Sequence, residues 1–149
     1  MSSKNKQVKK RNGRLENLNL DKINECVERA SKDLSDVSIS EIVLDASLQL
    51  YDKIPTVEID KALIMSARSK IEKEPNYAYV AARLLLNNLY KEVFGEGVDS
   101  DVFDLQYRKS FIQNIKRLVK AGRLSADLLS YDLNLLSEKL CPERDSLFK

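Results

Sequence analysis

A tight hairpin that runs directly into a helix start, in residues 8–23, constrains the fold of this chain more than any other segment. The segment reads VKKRNGRLENLNLDKI. Asn12 followed by Gly13 is typical of a two-residue type I′ turn, because both central residues of that turn need a positive φ. Asp21 is placed to cap the helix that carries Lys22, which would leave free backbone N–H groups beside the hairpin. The sequence therefore predicts two short paired strands and a helix that meet at a cationic corner, and such a corner suits a nucleoside phosphate.

Four segments between the hairpin and residue 95 carry apolar residues at helical spacing. The first helix is expected over about residues 21–34. Ser38 and Glu41 form a capping box at the start of the second helix, in which each side chain satisfies an N–H group of the other residue. Thr56 is expected to cap the third helix, and Gly95 is expected to end the fourth in a left-handed conformation. The apolar faces expected in the core are, in chain order, Ile23, Val27, Ala30 and Leu34; Ile39, Ile42, Val43, Ala46 and Leu50; Ile59, Leu63, Ala67 and Ile71; and Val80, Ala81, Leu84, Leu85 and Leu89.

The sequence after residue 95 predicts a linker and two more helices. Residues 97–100 form the linker, a fifth helix extends from Phe103 to near Gly122, and a sixth carries the leucines of residues 128–140. Ile54 is expected to add a third strand to the hairpin. Four amphipathic helices with one short hairpin cannot build a doubly wound sheet. The predicted fold class is mainly α: a four-helix bundle capped by a small three-stranded β-sheet, followed by two further helices.

Composition excludes several classes of function. The formal net charge of +2 is too balanced for a protein that mainly neutralises a nucleic-acid backbone. The absence of histidine from the sequence excludes every catalytic triad or metal site that depends on it, and the four glycines form no Walker-type loop. Cys26 and Cys141 have no metal-ligand spacing, and no apolar run reaches the roughly 18 residues that a membrane span needs. We expect a reduced cytoplasmic protein that binds neither nucleic acid nor membrane.

The hairpin segment of residues 8–23 resembles the opening of the ATP-cone, the regulatory nucleotide-binding domain at the N-terminus of many ribonucleotide reductase large subunits. Three later blocks are similar to further landmarks of that domain, in the same order and at matching spacing: residues 38–42 (SISEI), 51–60 (YDKIPTVEID) and 75–84 (PNYAYVAARL). Residues 142–149 (PERDSLFK) resemble the helical lead-in to the reductase catalytic chain.

The resemblance implies three segments and a set of ligand contacts. Residues 1–6 are expected to be a flexible tail, 7–95 the ATP-cone, and 96–149 a helical linker similar to the start of the class I catalytic domain. The family's phosphate contacts match Lys10, Arg11, Lys22 and Lys91. Glu16 matches its contact to the adenine amino group, and Thr56 and Asp60 match its positions near the sugar. Asn19 lies one turn from Glu16, where it could help to select the base, and Val8, Leu18 and Ile23 would supply apolar walls around it.

Ordinary structural roles compete with each of these assignments. The cations fit a solvated surface equally well, and strand alternation puts Arg11 on the face opposite Lys10, so that Arg11 must reach a ligand from the rim of the turn. Glu16 fits a cross-strand partner for Lys9 or Arg14. The apolar walls would be core residues without a ligand, and Thr56 is also a helix cap.

The implied function is allosteric control without turnover, since no residue of the chain matches a catalytic residue of the reductase. ATP in the cone is expected to favour active reductase and dATP an inhibited homo-oligomer, with Mg²⁺ accompanying the triphosphate and the radical-generating small subunit as a further partner. Two alternatives stay open: an ATP-cone attached to a reductase small subunit, and a helical module that binds nucleic acid or protein through a basic arm at residues 4–14. An ATP-cone repressor is a poor match because its four-cysteine zinc ribbon is lacking.

Overall fold

The chain divides into two structural units. The computed structural model describes residues 6–95 and 103–147. Within these residues the first unit comprises 6–89 and the second Tyr90–Leu147. The fourth helix, α4 (Asn76–Phe94), contributes residues to both. The predicted linker of residues 97–100 and the first five residues of the predicted tail lie outside the described part of the chain.

A small mixed sheet lies at the start of the first unit. It consists of β1 (Gln7–Lys9), β2 (Leu15–Asn17) and β3 (Ile54–Pro55), in the order β2-β1-β3. β2 is antiparallel to β1 and β3 is parallel to it. The strand predicted at Ile54 is confirmed, and Val8 pairs with it at the centre of the sheet.

The hairpin turn is one residue longer than predicted, and the type I′ turn is wrong. The N–H of Lys10 donates to the Arg14 carbonyl at 2.8 Å, and the N–H of Gly13 donates to the Lys10 carbonyl at 2.9 Å. Within this turn only Gly13 has a positive φ, of 85°. The loop is therefore a three-residue connection in which an ordinary turn is followed by a left-handed glycine. Asn12 has a different task, since its side-chain oxygen accepts the N–H of Arg14 at 3.0 Å.

Lys6 belongs to the first unit and not to a tail. Its carbonyl accepts the N–H of Leu18 at 2.8 Å, which extends the pairing beside the hairpin. Its ammonium donates to the carbonyl of Leu50 at 2.7 Å. These two contacts attach Lys6 to the residue that follows β2 and to the segment that precedes β3.

Helix α1 (Leu20–Ser31) begins one residue before Asp21 and ends three residues before Leu34. The predicted cap at Asp21 is wrong, because Asn19 takes that position and its side chain accepts from the first turn of the helix. At the other end, the guanidinium of Arg83 donates to the carbonyls of residues 30 and 32 at 3.0 and 2.7 Å. A helix needs acceptors for its first N–H groups and donors for its last carbonyls. Asn19 supplies the acceptor and Arg83 the donors, and both lie outside the predicted helix range of residues 21–34.

Helix α2 (Ile39–Ser47) has one of the two hydrogen bonds of the predicted capping box. The hydroxyl of Ser38 accepts the N–H of Glu41 at 3.3 Å, which confirms the cap. The return bond is wrong: the N–H of Ser38 donates to the hydroxyl of Tyr77 at 2.9 Å, and the Glu41 carboxylate lies 3.5 Å from the ammonium of Lys70. A tertiary donor and acceptor have thus replaced the local pair.

Helix α3 (Thr56–Arg68) starts directly from the third strand. Pro55 holds the capping position without a side-chain hydrogen bond, so the predicted cap at Thr56 is wrong and Thr56 is the first helical residue. Proline has no N–H and a fixed φ, which lets the chain pass from extended to helical geometry in one residue.

The core of the first unit joins all four helices to the sheet. Its fully buried large side chains are Val27, Ile42, Ile54, Leu63 and Val80. The predicted faces of α1, α2 and α3 are confirmed in the cluster of buried residues and the residues packed against it.

On α4 the predicted face is partly wrong. Leu85 and Leu89 are 37% and 41% exposed, whereas Tyr77, Val80, Leu84 and Asn88 are buried. Their spacing of three and four residues defines a stripe rotated from the predicted one. The end of the helix is as predicted, since Gly95 has a φ of 84° and its N–H donates to the carbonyl of Lys91 at 3.1 Å.

The second unit contains the end of α4, helix α5 (Phe103–Lys120) and helix α6 (Leu133–Glu138). Gly122, with a φ of 68°, follows α5 as predicted. The single sixth helix expected over residues 128–140 is wrong, because a 3₁₀ segment (Ala126–Ser130) precedes α6. Asp132 separates the two, since its carboxylate accepts the first N–H groups of α6. A second 3₁₀ segment (Pro142–Leu147) follows.

The second unit contains a cluster of four aromatic rings. The rings of Tyr90, Phe94, Phe103 and Tyr107 lie 5.0 to 5.9 Å apart between centroids. The hydroxyl of Tyr90 donates to the carboxylate of Asp145 at 2.6 Å. The mainly α fold with a three-stranded sheet and further helices is confirmed. None of the helices in the described ranges is long and apolar enough to cross a membrane.

Candidate functional site

One ion pair crosses the face of the hairpin. The ammonium of Lys10 lies 3.7 Å from the carboxylate of Glu16. Val8 is the direct partner of Glu16 in the strand register, so Lys10 reaches Glu16 diagonally, as residues on one face of a sheet do. The side chains are 24% and 38% exposed. Glu16 is thus the cross-strand partner of a lysine, although not of Lys9 or Arg14.

Arg11 extends from the turn to two helices, α3 and α4. Its Nη2 donates to the side-chain oxygen of Asn88 on α4 at 2.6 Å and lies 3.6 Å from a carboxylate oxygen of Asp60 on α3. The Arg11 and Asp60 side chains are only 19% and 11% exposed. The structure therefore brings two predicted site residues together, and it adds a third that the sequence analysis missed. The only signal for Asn88 was an amide on a face that otherwise packs into the core.

The start of α1 differs from the expected arrangement of free donors. The side-chain oxygen of Asn19 accepts the N–H groups of Asp21 and Lys22 at 2.8 and 3.2 Å. Those two N–H groups are therefore already used. The ammonium of Lys22 is exposed and makes no ion pair within residues 6–95 and 103–147.

The apolar residues predicted to line a base pocket lie in the core. Val8 and Ile23 are 5% and 8% exposed, and Leu18 packs against the same cluster. These side chains therefore have the core role that competed with the predicted ligand contacts. Thr56 is half-buried at the first position of α3, and Asp60 lies one turn further along that helix.

The remaining predicted contact is in the other unit. Lys91 lies in the last turn of α4, is half-buried and belongs to the second unit. That unit also has a groove of about 430 Å³ formed by α5, α6 and the segment before α6, with Ile112, Lys116 and Leu129 in its wall. None of the predicted ligand contacts lines it. The described residues contain no group of three side chains suited to hold a metal ion.

The first unit is thus a helical bundle in which a cationic hairpin turn and two helices bring charged side chains together, a design typical of small ligand-binding domains. The sequence profile of the ATP cone domain matches residues 6–92. The chain belongs to the ATP-cone family, as the resemblance indicated.

Three curated relatives are ribonucleoside-diphosphate reductase alpha subunits. The protein of Helicobacter pylori (strain ATCC 700392 / 26695) is 38% identical over 142 residues, which cover 95% of this chain and 17% of the relative. The alpha subunit of ribonucleoside-diphosphate reductase 1 of Escherichia coli (strain K12) is 33% identical over 128 residues, which cover 85% of this chain and 16% of the relative. That of Salmonella typhimurium is 41% identical over 90 residues, or 60% and 12%. The matched part of the chain therefore spans about a sixth of the length of the H. pylori and E. coli relatives.

Proposed function

We propose that the first unit binds ATP or dATP as an allosteric effector of a ribonucleotide reductase alpha subunit. Its family and the names of its relatives support the nucleotide and the enzyme. The observation that carries the proposal is Arg11, a turn residue whose guanidinium is held near the bundle by Asp60 and Asn88. A fixed cation next to a second cation, Lys10, on one hairpin suits a ligand with several linked phosphates.

The phosphate contacts are assigned to Lys10, Arg11 and Lys22. The pair between Lys10 and Glu16 is partly exposed, and exposed pairs contribute at most about 1 kcal/mol. A phosphate can therefore replace Glu16 at small cost. Lys22, with no competing carboxylate in the described part of the chain, is available at once. Lys91, from the second unit, remains a sequence prediction.

Binding requires the Lys10 and Glu16 side chains to separate. The amino group of adenine and the phosphates lie at opposite ends of the nucleotide, so two side chains 3.7 Å apart cannot serve both ends in their present positions. In the proposed complex Lys10 turns to the phosphates, and Glu16 accepts a hydrogen bond from the adenine amino group. The ion pair thus keeps both groups in place until the ligand exchanges their partners.

The base and sugar contacts are assigned to polar side chains. The Asn19 oxygen serves as the helix cap, which leaves its NH₂ group to donate to a ring nitrogen of adenine. A carboxylate acceptor at Glu16 and an amide donor at Asn19 together match the donor and acceptor pattern of that base. Val8 and Ile23 would contact the ligand only by their edges, and Thr56 and Asp60 are assigned to the sugar.

The regulatory step concerns assembly. ATP and dATP differ by one hydroxyl, so they can favour different states only if two assemblies are close in free energy and bind the two ligands unequally. We assign the outer face of α4 and the flank of the hairpin to the contact between alpha subunits, and we expect the reductase small subunit as a further partner. Mg²⁺ is expected to enter with the triphosphate.

Calorimetric titration of the chain with dATP and with ATP tests the site. Lys22→Ala and Glu16→Ala are each expected to weaken dATP binding by about tenfold, the effect of one charge-assisted contact. Lys61→Ala is the control, because Lys61 is an exposed lysine on α3. If the two site variants bind dATP as tightly as the control does, the assignment is refuted.

Analytical sedimentation of the same chain tests the regulatory step. The sedimentation coefficient should differ between the dATP, ATP and nucleotide-free samples. Identical sedimentation in all three would contradict switching by self-association. A basic arm for nucleic acid would show strongly salt-dependent DNA binding without nucleotide affinity, and the pairing of Lys10 and Arg11 with carboxylates argues against it.

A further inference from the structure

Asn88 is the polar residue buried among the apolar side chains on the inner stripe of α4. It is 6% exposed, at the position where the repeat of Tyr77, Val80 and Leu84 would place a fourth core residue. An amide in such a place is unfavourable unless it is hydrogen-bonded. Its oxygen accepts from Arg11, which is 77 residues away in the sequence, at 2.6 Å. The burial of Asn88 is therefore explained by the hairpin turn and not by the bundle.

We propose that Asn88 is a positioning residue for Arg11, which it fixes in the orientation that receives a nucleotide phosphate. This inference rests on the proposed function. A guanidinium has five N–H donors in a rigid plane, so a phosphate can contact one whose Nη2 is already oriented by Asn88 and Asp60. A turn residue held in this way loses little conformational entropy when the ligand arrives.

The neutrality of the amide is part of the inference. Arg11 already has one carboxylate nearby, that of Asp60 at 3.6 Å. A second carboxylate in place of Asn88 would hold the guanidinium equally well, but it would surround the cation with two negative charges and repel a triphosphate. Asn88 supplies an acceptor without a charge. Its chemistry therefore favours anion binding as well as the orientation of Arg11.

The test is calorimetric titration of the full chain with dATP. Asn88→Ala and Arg11→Ala should each weaken binding by about tenfold, and the double variant should bind no more weakly than Arg11→Ala alone, because both changes remove one contact. Asn87→Ala is the matched control: Asn87 is the neighbouring amide on α4, and its NH₂ group donates to the sulfur of Cys26 at 3.4 Å and not to Arg11. Asn87→Ala should bind dATP as the wild type does.

Asn88→Asp is the second variant, for the case that Asn88→Ala does not fold. It keeps the size and the acceptor, and it is expected to weaken dATP binding about tenfold through its charge. A packing role alone would leave the dATP affinity of this variant unchanged, and that result would overturn the inference. The inference would also be overturned if Asn88→Ala weakened dATP binding by the same factor in the wild type and in the Arg11→Ala variant. Failure of the wild type to bind either nucleotide would instead refute the proposed function, and this inference with it.

Discussion

Lys70 offers the sharpest test of how the first unit is held together. The residue is only 8% exposed, and its ammonium lies 2.6 Å from Asp45 and 3.5 Å from Glu41, both on α2. A buried ammonium is costly without a partner. The side chains of Asp45 and Glu41 are 43% and 57% exposed, so this pair lies between a surface pair and a buried one. Replacing Asp45 with asparagine removes the closer charge and leaves the lysine in place.

The magnitude follows from that intermediate position. Surface pairs contribute up to about 1 kcal/mol, and breaking a fully buried pair costs about 3–5 kcal/mol. With one partner buried and the other half-exposed, Asp45→Asn should lower the free energy of unfolding by about 2 kcal/mol. Lys70→Met should cost less, because it removes the buried charge and leaves two carboxylates that water can solvate.

Urea unfolding followed by circular dichroism measures both variants. Hydrogen exchange of α2 and α3 localises the loss, and Glu25→Gln is the control because Glu25 is an exposed carboxylate on α1. For Asp45→Asn the midpoint should fall by roughly 1 M urea, given slopes of about 1–3 kcal/mol/M. The reasoning is refuted if Lys70→Met is the more destabilised of the two, or if Asp45→Asn unfolds at the same urea concentration as the control.

The same pair has a defined pH dependence. The hydrogen bond to Asp45 raises the pKa of Lys70 above its ordinary value of 10.5, against the opposing effect of burial. A raised pKa means that the folded state keeps the proton longer, so the stabilisation is complete below pH 10.5 and is lost as the pH rises through the folded-state pKa. The difference between wild type and Asp45→Asn should therefore be constant near neutral pH and shrink in strong alkali.

Three further predictions concern other contacts. Arg83→Ala removes the donor that caps the end of α1, and it should lower the free energy of unfolding by about 1–3 kcal/mol with faster hydrogen exchange at that end; unchanged exchange there would contradict the capping role. Gly13→Ala should cost about 1 kcal/mol in a thermal melt and Gly13→Asn less, because the strain comes from the positive φ alone and an added Cβ meets no atom within 4 Å. Burial, and then the hydrogen bond to Asp145, raise the pKa of Tyr90 above 10.0, so folding is favoured less once the pH exceeds that value; an absorbance titration of tyrosinate should show late ionisation whose amplitude Tyr90→Phe reduces, because Tyr51 and Tyr107 also have raised pKa values.

Local signals predicted most of the elements. The cap at Ser38, the left-handed conformations of Gly13 and Gly95, and the end of α5 near Gly122 followed from residue type and position alone. The strand at Ile54 followed from a short apolar segment before a proline. Such features depend on a few neighbouring residues, whose preferences the fold did not override.

Other features were decided by distant partners. Asn19 and Asp21 are both good caps, and the position of the helix start relative to the hairpin selected Asn19. The capping box lost its return bond because a tyrosine hydroxyl from α4 reached the same N–H. Where two local choices are close in free energy, a tertiary contact of about 1 kcal/mol decides between them, and a single sequence does not contain that contact.

In the candidate site, too, one contact could be predicted from neighbouring residues and another depended on distant helices. Lys10 and Glu16 pair within one hairpin, and strand alternation had already placed Lys10 on that face. Arg11 was expected at the rim because alternation puts it on the opposite side, but β1 ends at Lys9 and Arg11 lies in the turn. Alternation could not predict that Asn88 of α4 accepts a hydrogen bond from Arg11, or that the Asp60 carboxylate of α3 lies 3.6 Å from it.

In the proposed site, the two cations of the hairpin therefore have different parts in nucleotide binding. The pair of Lys10 with Glu16 is half-exposed and contributes little, so a ligand can exchange its partners at small cost. Arg11 is held by two groups from the bundle, and ordering a free arginine would otherwise cost up to about 2 kcal/mol of side-chain entropy on binding. Two cations that are both loosely paired, as Lys10 is, would bind a triphosphate weakly because both side chains must become ordered. Two cations that are both held by the bundle, as Arg11 is, would have their charges offset by nearby carboxylates. The proposed site has one of each on adjacent residues: Arg11 as a phosphate contact that is already oriented, and Lys10, whose partner Glu16 is proposed to turn to the base when the phosphates bind.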